Sequence, residues 1–259
     1  MGIIIRRRDT KNNKTMKGDY MKILENTYGN FLQAAFIVLN PFKKAVIKTQ
    51  CKVHKYINVQ ALEVLKNDGY KEAYNFFSSH IMPINDGAYW ADQDFKSSGH
   101  FYNPHTKKGL YGRGNAADSA KEYYEKALTL WSIGEFDKAM FYFGAATHLV
   151  QDMTIPQHAN IRLLDNHKQY ETFVRRTYRY VKEFRAEKGS ILFDTINEYI
   201  RFNARVAMKV HKKFKVIREN EQRYYRTTRC VLPLAERTTA GCMVMFYKDI
   251  MAESHGVKH

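Results

Sequence analysis

Between His148 and Glu171 the chain sets five side chains of metal-ligand type in the order H-x3-D-x5-H-x8-H-x3-E. On a helix, residues four apart share a face, so His148 and Asp152 can address one point and His167 and Glu171 another. Pro156 interrupts the helical pattern between the pairs, and His158, two residues beyond it, lies where the chain can fold back toward the same space. Whatever this chain folds into must bring two helices together around that break. A lone histidine is more often a surface or hydrogen-bonded core residue than a ligand, but five candidate donors in one stretch reverse the weighting. A solvated face would carry lysine and arginine, and here it carries histidine. Imidazole nitrogen and carboxylate oxygen together are a set that zinc accepts.

Apolar residues recur at helical spacing along most of the chain and strand-like alternation is hard to find, which predicts an all-α, single-domain, multi-helix fold. At 259 residues the chain can bury a full core. Asn40 and Pro41 suit a helix start, and Asn67, Asp68 and Gly69 its end; this helix carries Cys51 and His54. A second helix over 70–82 should stop at Pro83. The stretch from Pro83 to Gly114, rich in Gly, Pro, Asn and Ser, reads as a long functional loop holding Asp92, Asp94, His100 and His105. Helices are expected at 116–132 and 135–153, separated by Gly134, then from Asn166 through Phe184, from Ile191 to Phe214, and from Leu234 to Ala252.

Forty-two Lys and Arg against 26 Asp and Glu give a formal charge of +16, a field that attracts polyanions such as nucleic acid or anionic lipid headgroups. Residues 1–30 read as a basic extension without a core of its own, with Arg6, Arg7, Arg8, Lys11, Lys14 and Lys17 and little apolar content, and 31–259 as the helical domain. A secretory leader needs an apolar core directly behind such a basic run, and Leu32–Leu39 lies too far downstream; it is also too short to span a bilayer. Ten Lys or Arg and two acids fall between Arg201 and Arg229, either a solvated face or a face for phosphates. The three cysteines exclude a disulfide scaffold and leave the redox compartment open.

The donor pattern resembles the bacterial zinc-dependent phospholipase C family. The elements are His148-Leu-Val-Gln-Asp152, then Ile155-Pro156-Gln157-His158-Ala159-Asn160, then His167-Lys-Gln-Tyr-Glu171. Further out, Tyr89-Trp-Ala-Asp92 and His100-Phe-Tyr-Asn-Pro104 resemble that family's loop aspartate and histidine. The stretch from Val53-His54 to Leu62 resembles its N-terminal histidine helix, and Arg237-Thr-Thr-Ala-Gly241 its last helix. The resemblance covers roughly 41–252. It implies a trinuclear zinc site of two to three ions: Asp92, His100, His148 and Asp152 for one, His158, His167 and Glu171 for a second, and His54 sharing Asp152 for a third. It also implies that Asp92 could accept a proton from the attacking water, with Asp94 as its rival.

Two departures matter. The family completes its third ion with a tryptophan at the mature N-terminus, and no tryptophan precedes His54 here. Cys51, three residues before His54 on the same helical face, is a candidate substitute as a thiolate, weighed against the usual burial of free cysteine. Gln93 and Ser97 stand where choline-cleaving members carry aromatic residues, which puts a choline preference in doubt.

The resemblance implies an exported, monomeric phospholipase C acting on phospholipid at an anionic membrane surface. Nucleic acid is the alternative substrate, because zinc-dependent single-strand nucleases share the trinuclear arrangement. Their usual motif, however, has glutamine, proline, a small apolar residue and histidine where this chain has Ile155-Pro156-Gln157-His158. A non-catalytic zinc- or lipid-binding helical protein is the third reading.

Overall fold

The computed structural model describes residues 51–93, 97–110, 114–161 and 166–256. The expected N-terminal extension, the start of the first helix and Asp94 lie outside the described residues. Among the described residues nine α-helices follow in order: α1 (Lys52–Asn67), α2 (Lys71–Ser79), α3 (Ile81–Gln93), α4 (Ala116–Ser132), α5 (Phe136–Asp152), α6 (Pro156–Asn160), α7 (His167–Thr177), α8 (Ile196–Phe214) and α9 (Asn220–Gly256). Two short 3₁₀ turns stand at Ser97–His100 and Lys182–Phe184, and no strand occurs among the described residues. The all-α expectation holds. No described helix is long and apolar enough to cross a membrane.

Helix α5 is the axis of the bundle. Every residue from Phe143 to Asp152 is buried, so this segment has no solvated face and must be enclosed by neighbours. Helices α3 and α4 flank it most extensively, while α8 and α9 close the remaining sides. Phe77, Phe143 and Phe246 are fully buried, and the Phe143 and Phe246 rings lie 4.6 Å apart. The ends of the elements follow local rules. Asn115 caps α4 by accepting from the N–H groups of Ala117 and Asp118, and Thr195 with Glu198 forms a capping box on α8. Gly69 and Gly134, at φ +86° and +82°, follow the ends of α1 and α4 in the left-handed region.

Several expectations are corrected. Pro83 does not stop a helix; it sits in the first turn of α3, where a missing N–H costs nothing. The first third of the expected loop is therefore helix, and Asp92 lies in the last turn of α3. Gly87 belongs to that helix for a packing reason: a Cβ there would stand 1.8 Å from the Phe141 carbonyl oxygen, and one at Gly144 would stand 2.1 Å from that of Ile84. The backbones of α3 and α5 touch at these two points. Helix α7 ends at Thr177, not Phe184, and α8 begins at Ile196, not Ile191. Helix α9 starts at Asn220, fourteen residues before Leu234, and runs through Pro233.

Glu236, fully buried on α9, accepts a hydrogen bond from the Ala186 N–H and so ties the segment after the second 3₁₀ turn to the bundle. Burial pushes its carboxyl up to about 8.

Two outcomes are expected. Gly144→Ala should cost about 3 kcal/mol or more, since backbone must move to admit the methyl group. Gly69→Ala, with nothing within 4 Å of its Cβ, should cost about 1 kcal/mol, for left-handed strain alone; denaturant unfolding of both variants checks the ranking. Because the folded-state pKa of Glu236 is raised, its contribution is fully present below the ordinary carboxylate value of 4.5 and is lost as pH rises toward 8. Glu236→Gln should flatten that decline in thermal melts taken across the range.

Candidate metal centre

The C-terminal turn of α5 delivers His148 and Asp152 to one point, four residues apart as the spacing requires, and both are buried. The chain then breaks, restarts at Pro156 and presents His158 from α6. His100 arrives from the first 3₁₀ turn, His54 from the first turns of α1, and His167 and Glu171 from α7. Oxygen Oδ2 of Asp152 is the hub: it lies 2.8 Å from His100 Nδ1, 3.3 Å from His148 Nε2 and 3.4 Å from His158 Nδ1. On the far side, His158 Nε2 is 3.0 Å from His167 Nε2, which is 3.1 Å from Glu171 Oε1.

These atoms form three donor groups: His100, His148 and Asp152; His158, His167 and Glu171; and His54, Asp92 and His148. Within each, one ligand atom per residue lies within 4.8 Å of the others. Every sequence-predicted donor except Cys51 is gathered. Asp92 groups with His54 and His148, not with His100 and Asp152 as the resemblance implied. The first and third groups share His148, so one imidazole links two of the three positions. Cys51 is buried beside α1 and joins no group. Burial, and then the charge of Asp92, push its thiol up to about 12.

Charge at the site follows from burial. Desolvation opposes ionisation of Asp152, yet His148 and His158 and hydrogen bonds from His100 and His148 outweigh it and hold the carboxyl well below the usual range. Burial lowers His148, while His158 is raised because Asp152 overcomes its desolvation. His167, desolvated and facing His158, falls to about 3, so its nitrogen presents a lone pair. Desolvation raises Glu171.

The donor set fits zinc on three counts. Nitrogen and oxygen donors at bond lengths of 2.0–2.1 Å around a tetrahedral ion stand about 3.3 Å from one another. The contacts among His100, His148 and Asp152 run from 2.8 to 3.4 Å. Asp92 Oδ2 and His148 Nδ1 are buried without a hydrogen-bond partner, a costly arrangement for polar atoms unless a cation takes them up. The centre also lies at the C-terminal, electronegative end of α5, which favours positive charge.

A supporting layer escaped sequence reading. His54 Nδ1 donates to Gln151 Oε1 at 2.9 Å, since an amide oxygen can only accept, and this leaves Nε2 free to face the centre at 3.6 Å from Asp152 Oδ1. The Gln151 amide nitrogen donates to Asn58 Oδ1 (2.8 Å) and Thr239 Oγ1 (3.2 Å), and Asn58 donates to Asn85 Oδ1 (3.0 Å). Phe101 stacks on the His158 ring at 5.0 Å. The helical spacing of Asn58 from His54, four residues, was the available signal, but amides carry no metal signature of their own.

A cleft borders the centre. His54, Asp92, Gln151 and Glu171 line its polar side; Val53, Ile57, Ile155, Val174, Val231 and Leu232 form an apolar wall, with Tyr170 and Arg175 beside them. Arg175, one turn after Glu171, donates to Thr172 Oγ1 at 3.1 Å and is the one cation among the lining residues.

Comparison with known proteins places the arrangement. A family model described as zinc dependent phospholipase C matches residues 53–218. A phospholipase C of Clostridium novyi is 26% identical over 233 residues, covering 76% of this chain and 58% of that protein. A phospholipase C of Listeria monocytogenes is 29% identical over 127 residues, covering 43% of this chain and 42% of that protein. Among solved structures, an alpha toxin from Clostridium absonum superposes with a TM-score of 0.67 at 19% identity, covering 76% of this chain and 63% of that one. The Clostridium perfringens alpha-toxin of avian strain SWCP gives 0.65 at 18% identity, covering 80% and 65%. At these identities the solved structures establish the shared fold, and the chain spans less than two thirds of each relative's length.

Removing metal with a chelator should lower the melting temperature, and Asp152→Ala should abolish stable zinc binding, as read by metal content after gel filtration. Gln151→Leu should weaken zinc affinity about tenfold through misorientation of His54. Cys51→Ser should leave the zinc content unchanged.

Proposed function

The chain belongs to the zinc-dependent phospholipase C family, and from that premise we propose that it hydrolyses the glycerol-side phosphodiester of a phospholipid, releasing diacylglycerol and a phosphorylated headgroup. The observation that carries this reading is the cleft itself: ligand-type side chains on one wall and aliphatic side chains on the other suit a molecule that is phosphate at one end and hydrocarbon at the other. Two to three zinc ions would be held by His100, His148 and Asp152, by His158, His167 and Glu171, and by His54 with Asp92. Zinc in such cages supplies Lewis-acid polarisation of the phosphoryl oxygens and a water of lowered pKa.

The chain's own residues do the rest. Asp152 neutralises the cluster and fixes three imidazoles around one oxygen. Asp92, at the end of α3 with one carboxylate oxygen unpartnered, borders the cleft and accepts the proton of the attacking water. The aliphatic wall excludes water from the glycerol side. Arg175 meets the negative charge of the headgroup, and with Gln93 in place of an aromatic residue this favours a headgroup other than choline.

A nuclease reading needs an exposed ring face on which a base can stack. Tyr170 is the one aromatic residue among those lining the cleft, and it is 3% exposed. The relatives named phospholipase C support the same choice.

The zinc-loaded protein should release the phosphorylated headgroup from a short-chain soluble phospholipid. His148→Ala should remove that activity together with zinc, and Asp92→Asn should lower kcat by about a hundredfold, with KM changed far less. Faster cleavage of single-stranded DNA than of phospholipid would overturn the proposal, as would zinc binding without turnover of either.

A further inference from the structure

Beyond the reaction cleft, the turn joining α8 to α9 gathers an unusual charge. Lys212, Lys213, Lys215 and Arg218 are all exposed there. The acids nearby are committed elsewhere: Glu219 accepts from the backbone N–H groups of Glu221 and Gln222 and caps α9, and Glu221 pairs with Arg176 at 3.5 Å. In the middle of the turn Val216 is 74% exposed, one of the most exposed large apolar side chains described. Behind the turn lies a second cleft, lined by His211, Lys215 and Arg223 and by no acidic residue.

The two clefts adjoin. Tyr170 lines both, and along α9 Thr227 faces the second while Thr228 faces the first. A lipid headgroup held in the second cleft would thus sit beside the reaction cleft.

We infer that the α8–α9 turn and the cleft behind it form a docking site for anionic phospholipid headgroups, separate from the catalytic cleft. Lys215 takes the phosphate, Arg223, whose guanidinium donates to the Ile217 carbonyl and to Asn220 Oδ1, adds its charge from the cleft wall, Val216 enters the interfacial layer, and the surrounding lysines meet the negative surface of the bilayer. Nucleic acid is the other polyanion of suitable charge, but the phenyl and phenol rings at this cleft, Tyr170, Phe214 and Tyr224, are 3%, 9% and 6% exposed and offer no stacking face, while an exposed valine contributes nothing to a phosphodiester backbone. The choice of lipid rests on the phospholipase reading, and the test keeps the two apart.

Association of the zinc-loaded protein with labelled vesicles, followed by stopped flow before turnover begins, should be stronger on phosphatidylcholine containing phosphatidylglycerol than on phosphatidylcholine alone. Lys215→Glu should weaken it roughly tenfold and Val216→Ser about threefold. Lys248→Glu makes the same charge change roughly 37 Å along α9 from Arg223 and should leave association within about twofold of the parent. Turnover of a soluble short-chain phospholipid should be unaltered in all three variants. Equal association with both vesicle types overturns the inference, as does a loss in Lys248→Glu equal to that in Lys215→Glu. Binding of single-stranded DNA that matches vesicle binding and is insensitive to Val216→Ser also overturns it. Absence of turnover of the short-chain lipid by the parent protein would instead sink the phospholipase reading, without altering the association result.

Discussion

A carboxylate withdrawn from water at the end of the central helix governs this molecule. Asp152 is 3% exposed, and an isolated buried charge of that kind would be intolerable. Its single oxygen Oδ2 is met by three imidazoles contributed by three separate segments, the first 3₁₀ turn, α5 and α6. Those segments are therefore held to one another by electrostatics at the place where α5 ends. The same requirement explains the partnerless atoms Asp92 Oδ2 and His148 Nδ1, which a protein fold alone gives no reason to bury. A cation resolves both.

Around that point the bundle divides its labour between core and rim. Helix α5 supplies the core and ends in the metal donors, so anchoring and chemistry share one element. Helix α9 runs past both clefts and contributes Thr228, Val231 and Leu232 to the apolar wall of the first. Its interior Pro233 lacks the N–H that would bond the carbonyl of Arg229, an exposed residue. An aliphatic wall opposite a charged one is the feature that turns a zinc site into a site for lipid in the reading given above.

Much of the centre was legible because metal ligation and helical geometry share a period. His148 with Asp152 and His167 with Glu171 follow from spacing alone, and Pro156 announced the break that admits His158. Helices α4 and α5 were equally plain, since Gly134 marks the break between them. Reading failed where one residue type serves two purposes. Pro83 and Gly87 look like loop residues, but one occupies a first turn and the other a helix contact, so α3 was missed and Asp92 was put on a loop. Pro233 in the same way concealed the first third of α9. The amides Gln151, Asn58 and Asn85 were invisible for a different reason: their role is set by three-dimensional neighbours, and nothing in an isolated amide tells it from a surface residue.

The contact between α3 and α5 also bears on how such a chain can diverge. Elsewhere in the core, volume lost at one position can be restored at another, and aliphatic side chains can exchange with little penalty. At Gly87 and Gly144 no exchange is available, because the neighbour is a carbonyl of the facing backbone rather than a rotatable side chain. His148 lies one turn beyond Gly144 on the same helix. A side chain at either glycine would move α5 against α3 and carry His148 with it, so the register of the donors rests on two hydrogens in place of side chains.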